Sequence, residues 1–268
     1  LRRTRRNGVQ RTVRARRRLL AAALAAVVAP AYAQGMRTAI ERVKRSVVAV
    51  GTHQRTRTPP FRFLGTGFAV GDGRLIATNA HVLPAVLAAG AEPEALAALI
   101  PGRDALPARV VEVTRVAVDV EHDLALLRLT GEALPALSLQ AGDAVAEGDQ
   151  LLFTGFPIGA VLGPFAATHR AMVAAITPIA IPPAASDGLD PRVVRRLQSG
   201  AFPVYQLDGT AYPGHSGSPL FDPASGEVVG IVNMVFVKGL KEAALSQPSG
   251  ISYAIPVRHL RALLDRAR

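Results

Sequence analysis

The sequence predicts an all-β fold of the sandwich or barrel class, and three observations carry that expectation. Short apolar runs recur along the chain, clusters of Gly, Pro and Asp separate them, and helical periodicity is confined to brief stretches. Each run is too short to span a helix of ordinary length, and many hold the β-branched residues that suit a half-buried pleated surface.

In chain order, Ala39-Ile40-Glu41-Arg42-Val43 reads as a short helix leading into a first strand, Ser46 to Gly51. His53 to Pro60 is polar and closes on Pro-Pro, which marks a loop. Gly71-Asp72-Gly73 lies between the apolar runs Gly65 to Val70 and Leu75 to Thr78 and predicts a hairpin. Pro84 to Leu99 is rich in Ala and Leu, which predicts a short helix with its own insertion. Ala108 to Val113 and Leu124 to Leu129 complete a first set of strands. Ala141-Gly142-Asp143 marks the break to a second set, expected at Gln150 to Gly155, Ala171 to Ile176, Val228 to Asn233 and Ser252 to Ile255. Pro256 then opens a terminal helix with Leu260, Leu263 and Leu264 on one face.

The charge balance has to be read after the first residues are set aside. The formal net charge is +11, but residues 2–18 hold nine arginines and no acid. Leu19 to Ala29 is then purely Leu, Ala and Val, and Ala31-Tyr32-Ala33 fits a small-residue cleavage site. Residues 1–33 are therefore expected to be a secretory signal peptide. Its apolar run of 11 residues is well short of the roughly 20 that cross a bilayer. Arg16-Arg17-Arg18-Leu19-Leu20 is a weak twin-arginine match, which leaves Sec and Tat export open. Without those arginines the net charge falls to +2, so a nucleic-acid partner is not expected. The mature chain is expected to run from Gln34, be periplasmic or secreted, and carry no stable membrane span. It has no cysteine, which excludes a thiol nucleophile and a Cys-based zinc site.

Three motifs carry chemistry. Ala77-Thr78-Asn79-Ala80-His81-Val82 sets a histidine just after a strand. His122-Asp123-Leu124 sets a carboxylate at the head of an apolar strand, where it is costly to bury unless hydrogen-bonded. Tyr212-Pro213-Gly214-His215-Ser216-Gly217-Ser218 sets a serine between glycines, before a further apolar run. A serine hydroxyl needs a neighbouring base to become a nucleophile, and that base needs an acceptor to fix its tautomer. His81, Asp123 and Ser216 supply the three roles in the order used by chymotrypsin-type proteases. Asp119 and Glu121 are the competing carboxylates. The glycines at 214 and 217 allow the backbone turn that aims N–H groups at an oxyanion, and the expected donors are those of Gly214 and Ser216.

With these motifs in place, the chain resembles the trypsin-like serine proteases of the HtrA/Deg type over nearly all of Ile40 to Leu264. The likeness is carried by Gly65-Thr66-Gly67-Phe68, the motifs around His81 and Asp123, Gly155-Phe156-Pro157-Ile158-Gly159, Gln206 to Gly214, and Gly250 to Pro256. It implies two six-stranded antiparallel β-barrels of the chymotrypsin type with a C-terminal helix. The first barrel (34–145) would carry His81 and Asp123, and the second (146–268) Ser216. It also implies an exported serine endopeptidase acting through an acyl-enzyme on unfolded or exposed segments of protein or peptide substrates. No metal or organic cofactor is implied, and the oligomeric state stays open.

The resemblance places Thr210 at the base of the specificity pocket, with Ile231, Val232, Asn233 and Met234 along one wall. Without an acid at 210, small or medium aliphatic P1 residues are expected, with the bound peptide added as a strand. Two departures stand out. His215 replaces the family's usual Asn, or the Asp of chymotrypsin, which excludes the zymogen-activating salt bridge of digestive enzymes. Ser218 replaces a glycine. Family members usually continue into PDZ domains, and none is expected after Leu264. The Pro- and Arg-containing stretch Thr177 to Phe202 reads either as a lid over the active site or as a surface insertion. Two rivals remain. A catalytically latent binding or chaperone-like protein would keep the fold without the reaction. An α/β-hydrolase would need a second glycine at 218 and more chain after Ser216. No H-E-x-x-H spacing supports a metalloenzyme.

Overall fold

The computed structural model describes residues 34–89, 92–102, 107–142, 144–159, 163–179, 202–233 and 250–268. The expected signal peptide, Met234 and most of the Thr177–Phe202 stretch lie outside these residues. A helix over 34–46 (α1) buries Ala39 and Val43, one turn apart, and runs straight into β1. The strands of the first half are β1 (Val47–His53), β2 (Phe61–Val70), β3 (Leu75–Asn79), β4 (Ala95–Ile100), β5 (Arg109–Asp119) and β6 (Leu124–Leu129). Those of the second are β7 (Gln150–Gly155), β8 (Ala167–Ile179), β9 (Phe202–Asp208), β10 (Pro219–Phe221), β11 (Val228–Asn233) and β12 (Ile251–Pro256). Helix α2 (Val257–Arg266) follows β12 directly.

Each set closes into an antiparallel barrel. The orders are β1-β2-β3-β6-β5-β4 and β7-β8-β9-β12-β11-β10, so the second repeats the topology of the first. The expected class, two six-stranded barrels and a C-terminal helix, is the one observed.

Side-chain alternation along the strands sorts the apolar residues into three clusters. Val48, Val50, Ile76 and Leu127 fill the first barrel. Phe153, Val173, Leu207 and Val232 fill the second. The opposite faces of the same strands, with Phe68, Leu124, Phe221 and Ile231, and Phe156 just after β7, form a third cluster where the barrels meet. Val257, Leu260 and Leu263 of α2 and Ala39 and Val43 of α1 join it. β1 is buried on both faces because it serves two clusters at once. The connector between barrels is pinned to each: Leu137 N–H donates to the Ala69 carbonyl, and Gln140 N–H to that of Val228 (both 2.9 Å).

Two expectations need correction. Among the described residues of Pro84 to Leu99 there is no helix: 84–89 and 92–94 are bends and irregular chain, and Ala95–Ile100 is strand β4. Ala and Leu favour helix only weakly, whereas β4 is the strand that closes the barrel, pairing with β1 on one side and β5 on the other. β9, which begins beside Pro203, was not expected as a strand at all, and β5 and β8 run longer than their apolar cores suggest.

Phe68 is fully buried where the barrels meet. Phe68→Ala is expected to cost about 3–5 kcal/mol of folding free energy. Urea unfolding would register this as a lower midpoint with an unchanged slope.

Candidate active site

The turn before β6 and the end of β3 are locked together. The Asp123 carbonyl accepts from Ala80 N–H (3.1 Å) and from the Asn79 side-chain amide (3.0 Å). Asp123 holds a positive φ of 52°, a conformation that aspartate tolerates better than most residues. This brings its carboxylate under the short 3-10 turn Ala80–Val82, which carries His81. The carboxylate is 5% exposed and fully engaged. Oδ1 accepts His81 N–H at 2.8 Å, and Oδ2 lies 2.5 Å from His81 Nδ1 and accepts the Asn233 amide at 2.7 Å. With Nδ1–H on the carboxylate, the lone pair of Nε2 faces outward. Nε2 lies 2.9 Å from Ser216 Oγ, across the junction of the two barrels.

The competing carboxylates are elsewhere. Asp119 accepts from His122 N–H and Nδ1 and from Arg266 Nη2 at 2.6 Å. Burial opposes its charge, but the His122 and Arg266 donors hold it below the usual carboxylate range. Glu121 is exposed.

The loop 212–218 is held from several sides. Ile158 N–H donates to the Pro213 carbonyl (2.8 Å), Thr66 Oγ1 to that of Gly214 (2.7 Å), and Thr66 N–H to that of Ser216 (2.9 Å). Because a trans peptide points its C=O and N–H in opposite directions, the first bond turns Gly214 N–H away from Ile158. Ile158 itself has φ 45°, a strained value for a β-branched residue. Gly217, at φ 86°, passes so close to Thr66 that a Cβ would overlap its carbonyl oxygen and come 2.5 Å from Thr78 Oγ1.

His215 is wholly buried beneath this loop. Its ring stands edge-on to Phe153 (5.1 Å, 87°) and to His169 (4.8 Å, 84°). Burial pushes its pKa down to about 3, reinforced by His169, while burial also lowers His169.

Of the expected pocket residues, Thr210 is half-buried just after β9. Ile231 and Val232 are buried in the hydrophobic clusters, and the Asn233 side chain is turned onto Asp123. What β11 offers a ligand is therefore backbone at its Asn233 end. Sequence reasoning missed Asn233 as a partner of Asp123, and Thr66 and Asn79 as struts. A Thr between two glycines after a Phe-rich run was the available signal for Thr66. A cavity of about 600 Å3 lies beside the cluster, lined by Phe61, Phe63, Leu99 and Phe156, and it holds none of these catalytic candidates.

The chain is similar to known proteins in sequence and in fold. A family model described as the trypsin-like peptidase domain matches residues 65–231. The chain is 29% identical over 208 residues to a probable periplasmic serine endoprotease, DegP-like, of Halomonas elongata, covering 77% of this chain and 35% of that protein. It is 32% identical over 203 residues to the mitochondrial serine protease HTRA2 of Bos taurus, covering 75% and 36%. The chain thus spans about a third of the length of the curated relatives it matches. Among solved structures, the serine endoprotease from Yersinia pestis superposes with a TM-score of 0.58 at 23% identity, over 87% of this chain and 66% of that one, a likeness of fold.

The buried imidazole makes stability depend on pH. As pH falls below the ordinary histidine value of 6.5, the unfolded chain takes up a proton that folded His215 refuses until about pH 3. Stability is therefore lost progressively from pH 6.5 downward, and the loss levels off below pH 3. Urea titrations at pH 7, 5.5 and 4 are expected to show the parent losing more stability than His215→Asn, which cannot titrate.

Proposed function

The chain belongs to the trypsin-like peptidase domain family, and from that premise we propose that it is an exported serine endopeptidase working through His81, Asp123 and Ser216. The observation that carries this reading is the continuous line from Asp123 Oδ2 through His81 to Ser216 Oγ, with steps of 2.5 and 2.9 Å. Ser216 Oγ attacks a peptide carbonyl while His81 Nε2 takes its proton. Asp123 holds the Nδ1–H tautomer and offsets the imidazolium charge. The N–H groups of Gly214 and Ser216 receive the developing oxyanion. His81 then gives the proton to the leaving amine, which departs as the C–N bond breaks and an acyl-serine remains. Water, deprotonated by the same imidazole, attacks that ester and frees the new carboxyl end and Ser216.

The substrate is an extended segment of an unfolded or exposed polypeptide, lying as an added strand beside the Asn233 end of β11. Thr210 brings no charge to the pocket base, so small or medium aliphatic P1 residues are favoured over Lys or Arg. The basic and apolar residues of 1–33 support export as a cleaved leader, in keeping with the periplasmic designation of the DegP-like relatives.

Reaction with a fluorophosphonate is expected to label the parent on Ser216, with labelling lost in Ser216→Ala and His81→Ala. Only the parent should degrade unfolded casein, and cleavage-site sequencing should give aliphatic P1 residues. Asp123→Asn should lower kcat by about 10³–10⁴-fold. A folded parent that neither labels nor cleaves would shift the reading to a latent, protease-fold binding protein. Export is checked separately: the periplasmic fraction of expressing cells should yield a chain whose N-terminal sequence starts near Gln34.

A further inference from the structure

The peptide bearing Gly214 N–H lies inside a four-residue turn, 212–215, closed twice over. His215 N–H donates to the Tyr212 carbonyl (3.0 Å), and Tyr212 N–H donates to His215 Nδ1 (2.9 Å). Both backbone groups of Tyr212 are thus satisfied by one residue, as in a helix capping box. Ile158 and Thr66 reach the same turn from outside, whereas the imidazole, with the Tyr212 ring tilted against His169 (6.3 Å), fastens it to the interior of the second barrel. The ring is wedged edge-on against Phe153 of β7 and His169 of β8. Gly155 leaves room for it, since a Cβ there would stand 3.1 Å from the ring's Cδ2. Among the described residues His215 Nε2 has no hydrogen-bond partner, so the polar work of the side chain is all at Nδ1.

We propose that His215 is the positioning residue of the oxyanion loop: its Nδ1, accepting Tyr212 N–H, keeps the Gly214 N–H aimed where the oxyanion forms. This rests on the endopeptidase reading above and assigns a task to a residue that departs from the family pattern. The role requires an acceptor at the Nδ1 position and a body that fills the space beneath the loop. Asn supplies the acceptor, and Leu supplies only bulk. It also requires an unprotonated ring, because an imidazolium would point a second N–H at the Tyr212 donor. The titratable groups facing the ring are His169 on β8 and Tyr212 in the loop itself. The other contacts, Phe153 and Gly155 of β7, carry no charge.

The test compares the parent with His215→Leu, His215→Asn and Tyr212→Pro, the last of which removes the donor and leaves the imidazole. Steady-state kinetics on a peptide substrate are combined with amide hydrogen exchange at Tyr212 and with the scalar coupling that an N–H···N hydrogen bond transmits between two nitrogens. In the parent, the Tyr212 amide should be protected and coupled to the His215 ring. His215→Leu and Tyr212→Pro should each lower kcat at least tenfold with KM within twofold, since an oxyanion donor acts in the transition state. His215→Asn should restore both kcat and, at Tyr212, amide protection. The proposal is overturned if a folded Leu or Pro variant keeps its kcat, if KM alone changes, or if folded His215→Asn is as slow as His215→Leu. It is overturned equally if the parent shows no such coupling. A parent with no turnover refutes the endopeptidase reading instead, while the coupling still reports whether the Tyr212–His215 bond exists.

Discussion

A carboxylate shut away from water must be met by donors, and Asp123 is met from both barrels. His81, two residues beyond β3, covers one side with its backbone and its ring, and Asn233 at the end of β11 covers the other. Leaving such a group short of a donor costs more than any one of these bonds contributes. The two barrels are therefore drawn into one relative placement, and that placement sets Ser216 opposite His81. The apolar cluster between the barrels supplies most of the adhesion. The buried charge selects the register in which that adhesion is useful.

The loop around Ser216 shows the same economy in backbone form. Its carbonyls are taken in turn by Ile158, Thr66 and the loop's own amides. Ile158 pays for its place with an unfavourable φ, and the neighbours Phe63 and Phe156 crowd Gly214 from behind. Local strain is tolerated where surrounding contacts over-determine it. The loop is thus shaped mainly by groups outside itself, with the His215 ring as its own anchor.

Strands whose apolar runs match their pairing partners were legible in the sequence: Leu124–Leu129, Gln150–Gly155 and Val228–Asn233 begin and end where the pattern does. The catalytic candidates His81, Asp123 and Ser216 were legible as motifs and lie together in space, although neither their spacing nor Asn233's bond to Asp123 could be read from the chain. β4 was misread because its residues have no strong local preference, and only closure of the barrel makes them a strand. Thr66 escaped notice for a related reason. Its importance lies in reaching Gly214, 148 residues away, and the flanking glycines that mark it locally do not name that partner.

Those separations also set the timing of competence. His81 and Ser216 stand 135 residues apart in sequence, Asp123 and Asn233 110, and Asp119 is tied by Arg266 of the last helix across 147. Long-range pairings form late, since the chain must close large loops before they reward it. Before those pairings form, Ser216 has no imidazole beside it and is an ordinary alcohol. On the proposed endopeptidase reading, reactivity would arrive only with the finished tertiary structure, and the order of synthesis would itself guard against premature hydrolysis.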